Sequence, residues 1–314
     1  MTAAHVSCPS HVGSAPQRGL WNRPVLLLTL AASLWASNFV LGRAVPTSLA
    51  PVSLSFWRWV IAAVLAFPMA LPHLRQDLPA LRRGWPMLLL LSALGLAGSN
   101  TLAYFALRLT DATSALLVQS AIPATIVAFG FLLFRDRIRM DQVTGLILAL
   151  GGVLCIVLAK PSASGALNAG TALAVVAMTL QALYATMLRH RPPVHPTSFL
   201  FLIFASAALL MLPFQLAFGT PLPLSQPGAM AALSYLALGP SVLAFFLFNR
   251  GVALIGSGAA GLFFYLMPVF VSAFAAIGLG ERIGAIELVG FALVGIGFAH
   301  SRRGRAQTHP AGVS

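Results

Sequence analysis

The chain has 314 residues, of which 59% are hydrophobic and 8% charged, with a net charge of +13 and a mean hydropathy of +0.90. A water-soluble domain carries roughly 25% charged residues; six acids cannot furnish such a surface, so composition excludes the soluble class and leaves the membrane class. The basic residues lie in short runs between long apolar segments rather than in a stripe between aromatics, which argues against a nucleic-acid partner. Cys8 and Cys155 form neither a disulfide framework nor a metal-ligand spacing.

In chain order, residues 1–23 read as a disordered polar tail. Apolar segments long enough to span a bilayer follow near 25–43, 51–72, 85–106, 112–134, 142–160, 168–188, 197–217, 227–248, 256–279 and 283–300. The interruptions carry turn and charge signals: PTSLAP at 46–51, HLRQDLPALRRG at 73–84, RDRIRMD at 135–141, PSASG at 161–165, RHRPPVHP at 189–196 and GTPLPLSQPG at 219–228. Residues 303–314 form a second tail. Lipid offers backbone groups no partners, so these segments are helices; the short alternating strands of a membrane barrel are absent from the pattern. The expected fold is an all-α integral membrane protein of ten transmembrane helices.

Arginine placement sets an expected orientation. With the N-terminus inside, fourteen arginines fall in inside segments and only Arg43, Arg108, Arg282 and Lys160 in outside ones. Cytoplasmic loops carry the excess of Lys and Arg, so both termini are expected in the cytoplasm. One lysine against eighteen arginines is a compositional pointer to a bacterial chain, and hence to an inner membrane.

The chain also repeats itself. SAIPATIVAFGFLLFRDRI at 120–138 and YLMPVFVSAFAAIGLGERI at 265–283 align with an offset of 145: Pro123 with Pro268, Asp136 with Glu281, Arg137 with Arg282, Gly145 with Gly290, Gly152 with Gly297. The two units are residues 24–160 and 168–302. Each holds five spans, an odd number, so the second enters the membrane from the opposite side. Inverted repeats of this kind are characteristic of secondary transporters.

At these residues the chain resembles the EamA family of the drug/metabolite transporter superfamily. The resemblance is carried by WASNFVLGRAV at 35–45, the span containing Arg58, the helices containing Pro123 and Pro268, and the acid-Arg pair closing the fourth helix of each unit. It implies a ten-helix inverted-repeat transporter with both termini inside, typically exporting amino acids or other small metabolites. No cofactor or metal is expected.

Candidate site residues are the polar and aromatic groups buried within spans, because polar groups in lipid face the bundle or a cavity. Trp35 and Asn38 share one helix face, with Gln181 and Tyr184 as their counterparts 146 residues on. Asn100 and Tyr104 correspond at 145 to Phe245 and Asn249, and Gln119 and Ser120 to Phe264 and Tyr265. This set suits a pocket for a zwitterionic or neutral small molecule, with apolar walls and a few hydrogen-bonding groups. Asn249, beside Arg250, reads as interfacial. Pro123 and Pro268, about midway along their spans, are expected to break the helices at a central cavity and serve as gating elements. Arg58 either draws a carboxylate into an outer vestibule or, the reading the sequence favours, snorkels to the interface. Glu287, the one acid inside a span, is a candidate coupling residue or an interfacial N-terminal acid. Helices five and ten, rich in glycine, suit an internal scaffold or a homodimer contact.

A membrane enzyme would need paired acids, a nucleophile with its base, or metal-ligand spacing. The seven histidines lie in tails and loops, and neither HExxH nor GxSxG occurs. A carrier for phosphorylated or nucleotide-sugar-like metabolites is the main alternative; it would require a cationic pocket, for which Arg58 is the one visible candidate.

Overall fold

The computed structural model describes residues 20–42, 49–110, 115, 118–138, 140–158, 169–279 and 284–306. Every regular element among them is helical. We label the α-helices α1 (Pro24–Gly42), α2 (Pro51–Leu91), α3 (Ser99–Leu109), α4 (Ile122–Phe134), α5 (Met140–Leu158), α6 (Ala169–Met187), α7 (Pro196–Phe218), α8 (Pro227–Leu236), α9 (Ala244–Ile255), α10 (Ser257–Gly261), α11 (Leu266–Leu279) and α12 (Ala285–Ala306). Five helical runs are long and apolar enough to cross a membrane: Pro51–Leu109, Ala169–His190, Pro196–Phe218, Pro227–Ile255 and Ser257–Phe274. Shorter apolar helices stand at Pro24–Asn38, Ile122–Phe134, Met140–Cys155 and Leu288–Gly297. Large apolar side chains such as Leu132, Leu216 and Ile277 stand exposed on the outside of the bundle. In water that surface would aggregate; against acyl chains it is matched.

Two expected boundaries change. The break at 73–84 is helical, and Pro51–Leu109 is one unbroken helical run. It is not one rod. Thr101 Oγ1 donates to Ser55 Oγ at 2.8 Å, whereas 46 residues of straight helix would separate them by about 69 Å. The chain therefore folds back between them, in the stretch where Pro72 and Pro79 remove intrahelical hydrogen bonds. α7 packs along both limbs: Phe67 meets Phe201 on the first, and Thr101 meets Met211 on the second. The second change concerns the eighth span, which does not end at 248 but continues to Ile255 through Asn249 and Arg250.

The two halves of the chain make matching contacts. Ser92–Gly98 and Ala237–Leu243 are both π-helical, and the offset between them is again 145. α1 packs on α9 and α11, while α6 packs on α3 and α4; each of these pairs maps onto the other by the repeat. α2 pairs with α7, and α5 with α12, each a helix against its own counterpart. The α5–α12 seam shows why glycine recurs there. A Cβ on Gly152 would lie 2.6 Å from the Gly290 carbonyl oxygen, and one on Gly297 would lie 2.6 Å from that of Gly145. Backbone rests on backbone at two repeat-related points. The glycine faces of these helices are thus used inside the chain.

The loops sort to two ends. At one end Arg189 forms a two-pronged ion pair with Asp136, His73 stacks on His195 at 3.6 Å, and Arg250 reaches the Trp21 carbonyl and Asn22. At the other, Arg108 donates to the Leu49 carbonyl and the Thr220 amide to Ser53 Oγ.

His195 makes stability at the first end depend on pH. It caps α7, accepting the Thr197 amide at Nδ1, while the backbone amide of His195 bonds Asp77. Burial, and then the neighbouring His73, lower its pKa below the usual imidazole value, against a smaller raising effect of Asp77. The unfolded chain thus takes up the proton first. The capped state is fully stabilised above pH ~6.5 and loses stability as pH falls through that value. We expect the unfolding midpoint in detergent to drop below pH ~6.5 in the wild type and to drop less in His195→Asn, which keeps a cap that does not titrate. Equal drops in both would remove His195 as the cause.

Candidate functional site

Between the matching halves lies a narrow cavity of about 50 Å³. Its walls include Trp35 and Asn38 of α1, Asn100 and Tyr104 of α3, Gln119, Gln181 of α6, Phe245 of α9 and Phe264. These eight are sequence-selected residues drawn from segments far apart in the chain. Ser99, Ala103, Leu107 and Met267 complete the wall.

Three other selected residues lie elsewhere. Ser120 is buried but does not line the cavity. Tyr184 sits one layer away, its ring against Gly95, where a Cβ would come within 2.4 Å. Tyr265 points to the α5–α12 seam among Ala149, Val153, Leu262 and Val294. Pro123 stands in the first turn of α4, where a missing N–H costs little. Pro268 is the third residue of α11 but lies within the continuous helical run Ser257–Phe274. The stretches before them are a turn at 120–121 and a 3-10 segment at Leu262–Tyr265. Glu287 is in the first turn of α12, and its side chain lies outside the described residues, as do Asp111, Glu281 and Arg282.

Arg58 does not snorkel. It is 1% exposed. Its Nε donates to Ser241 Oγ, and its Nη1 donates to Tyr104 Oη and, at 3.3 Å, to Asn100 Oδ1. Trp59 packs against the guanidinium at 4.8 Å. Guanidinium can only donate, so it fixes the orientation of its neighbours. Tyr104 accepts from Arg58 and donates onward to Asn38 Oδ1 at 3.2 Å. Asn100 turns its oxygen to Arg58 and its Nδ2 to the Gly95 carbonyl at 2.8 Å. The amide nitrogen of Asn38 is left without a protein acceptor among the described residues, and Gln119 and Gln181 likewise line the cavity without protein partners. The cavity therefore offers amide donors biased by a buried positive charge, beside acceptors on the two glutamines.

The π-segments contribute directly. Widening the helical turn frees backbone carbonyls, and the freed pair are repeat counterparts. Gly95 O accepts from Asn100 Nδ2, and Pro240 O accepts from Trp35 Nε1 at 3.0 Å. Trp35, so anchored, stacks on Phe264 at 5.2 Å and meets Phe245 and Phe248 edgewise or tilted. This aromatic group lies next to a second hydrogen-bonded pair. Tyr184 Oη donates to Asn249 Oδ1 at 3.1 Å. Asn38 and Tyr104 on one side, and Tyr184 and Asn249 on the other, occupy corresponding repeat positions with the residue types exchanged. Asn249, which the sequence places at an interface, is 4% exposed.

Sequence reasoning passed over Ser241, Trp59, the π-segments and the buried role of Asn249. Serine in an apolar helix signals only packing, and Asn249 is masked by its arginine neighbour. The 145-residue correspondence of Asn249 with Tyr104 was the available signal.

A larger vestibule of about 550 Å³ opens at the arginine-rich end. Asp136, Arg189, Arg191, Gln142, Asn249 and Ser257 are among its walls. That volume is in the usual range of metabolite sites, whereas the central cavity has room for only a few waters.

Apolar helices crossing in matched halves around a polar, aromatic-walled cavity define a polytopic membrane protein of the carrier type. The description "EamA-like transporter family" matches residues 22–158 and again 168–301, and the chain belongs to that family. It is 27% identical over 275 residues to the uncharacterized transporter YetK of Bacillus subtilis, covering 85% of this chain and 83% of that one. It is 24% identical over 285 residues to an S-adenosylmethionine/S-adenosylhomocysteine transporter of Chlamydia trachomatis, covering 86% and 87%. A solved crystal structure with 20% identity superposes with a TM-score of 0.74 over 91% of this chain and 99% of its own, a likeness of fold. The protein is a membrane transporter of the EamA type.

Proposed function

We propose that this protein exports amino acids or related small metabolites across a bacterial inner membrane by alternating access. In this reading ten spans form two inverted five-helix repeats, residues 24–160 and 168–302. The arginine-rich end, with both termini, faces the cytoplasm. The observation that carries the reading is the central cavity, where the Asn38 amide nitrogen and the Gln119 and Gln181 amides have no protein partner among the described residues and stand under aromatic cover at the meeting of the matched halves. Amide donors and acceptors together suit the charged ends of a zwitterion, and the rings suit an apolar side chain. The small volume fits a carrier between loaded states, closed at one end and open as a vestibule at the other. Gating would fall at Pro123, where a turn precedes the helix, and at Pro268, where a 3-10 segment passes into the α-helix.

A second reading, exchange of an anionic or nucleoside-bearing metabolite, is favoured by one observation: buried Arg58, hydrogen-bonded to Ser241, Tyr104 and Asn100, has no ion pair among the described residues. The relative named for S-adenosylmethionine transport makes that metabolite worth including in a flux panel.

The test is flux. Cells loaded with dipeptides, with and without the protein, should differ in the amino acids that accumulate outside. Asn38→Leu and Gln181→Leu should each abolish that difference while the protein still inserts in the membrane. Wild-type export from both variants would remove the cavity as the substrate site, and no difference for any amino acid would remove the amino-acid reading.

A further inference from the structure

The inner vestibule contains two polar groups that the fold itself leaves unanswered. The first is Asn249. Its Oδ1 is engaged by Tyr184, while its Nδ2 is buried and has no hydrogen-bond partner. A buried donor left without an acceptor destabilises the fold until something supplies one. The second is Arg191, which lines the same vestibule, half-buried. Its neighbour Arg189 is neutralised by Asp136. Arg191 has no ion pair and no side-chain hydrogen bond among the described residues; it lies over the Phe199 ring at 5.9 Å. Burial, with Arg250 adding repulsion, disfavours its charge, and Tyr184 opposes this. A guanidinium without an ion pair and an amide N–H without an acceptor, both related to Tyr184, thus line one metabolite-sized space.

Both groups are donors, and one is a cation. Complementary chemistry is an oxyanion, which accepts from the guanidinium fork and the amide together. We propose that the vestibule wall formed by Arg191 and Asn249 is a binding site for an oxyanion, the carboxylate or phosphate of a small metabolite. The site is separate from the central cavity. It would hold a substrate by its acidic end before passage past the Tyr184–Asn249 pair into the bundle. That purpose rests on the transporter reading, but binding itself does not, and it is measured without flux.

The experiment uses the full-length protein in detergent, with succinate and inorganic phosphate as probes and chloride at equal ionic strength as the control. Thermal unfolding and tryptophan fluorescence report binding. The wild type should be stabilised in a saturable way by at least one probe beyond chloride. Arg191→Gln and Asn249→Leu should each weaken its apparent affinity about tenfold or more. Arg191→Lys should restore part of it, and Arg82→Gln, at an exposed arginine outside the vestibule wall, should leave it nearly unchanged. Asn249→Ser, which is small and polar, serves if the leucine variant fails to fold. Response to succinate alone assigns the site to carboxylates, and response to phosphate alone assigns it to phosphate esters. Failure of both probes to exceed chloride, or equal binding in the Arg191 and Asn249 variants, overturns the site.

Discussion

Replacing Arg58 by glutamine should lower the initial transport rate of reconstituted protein by about a hundredfold, the equivalent of losing one or two charge-assisted hydrogen bonds. The reason is orientation. Arg58 donates to Ser241, Tyr104 and Asn100 at once, and because it cannot accept, Tyr104 must pass its proton toward Asn38 and Asn100 must turn its nitrogen to Gly95. Glutamine both donates and accepts, so the chain of directions is lost and Asn38 is free to rotate its amide. Arg58→Lys should recover little, since a point charge cannot reach three acceptors in a plane. The measurement is uptake or counterflow in proteoliposomes, alongside the elution profile of each variant. A folded Arg58→Gln protein with wild-type flux would show that the guanidinium is only a packing element, and would also remove the main support for an anionic substrate.

The second large effect is expected at the α5–α12 seam. Gly152→Leu or Gly297→Leu should prevent a stable bundle from forming, and Gly152→Ala should destabilise it by about 1–3 kcal/mol. No side chain can give way, because the first atoms a Cβ meets are backbone: Gly290 O and Val294 N in one case, Gly145 O and Ala149 N in the other. Either the helices separate or the backbone distorts, and with it goes the packing that holds Tyr265 and Leu262 at the start of α11. Unfolding midpoints in detergent check this. If these faces served a homodimer instead, the variants would lose the dimer and keep the monomer's midpoint, so size-exclusion and unfolding data together separate the two roles.

The amino-acid sequence by itself determined the membrane class, the order of the apolar segments, the pairing of residues 145 apart and the arginine asymmetry between loops. These follow from the solvent. Acyl chains satisfy no backbone group, so length and hydropathy alone specify helices, and charge is confined to their ends. The same reasoning selected Trp35, Asn38, Asn100, Tyr104, Gln119 and Gln181, since polar groups leave lipid for the interior, and the repeat added Phe245 and Phe264 as the counterparts of Asn100 and Gln119.

The tertiary structure decided which of them meet. Ser120, Tyr184 and Tyr265 met the same criteria and lie outside the cavity wall, because a few tens of degrees of helix rotation redirect a side chain and periodicity does not carry that angle. Arg58 turned inward for a reason invisible locally: its acceptors are on α3 and in the second π-segment, 42 to 183 residues away. The break at 73–84 stayed helical because helix can persist through a reversal that prolines permit, and loop composition does not tell a turn from a bend. Asn249 was hidden by its charged neighbour; only packing against Tyr184 left it buried, with half of its amide unanswered.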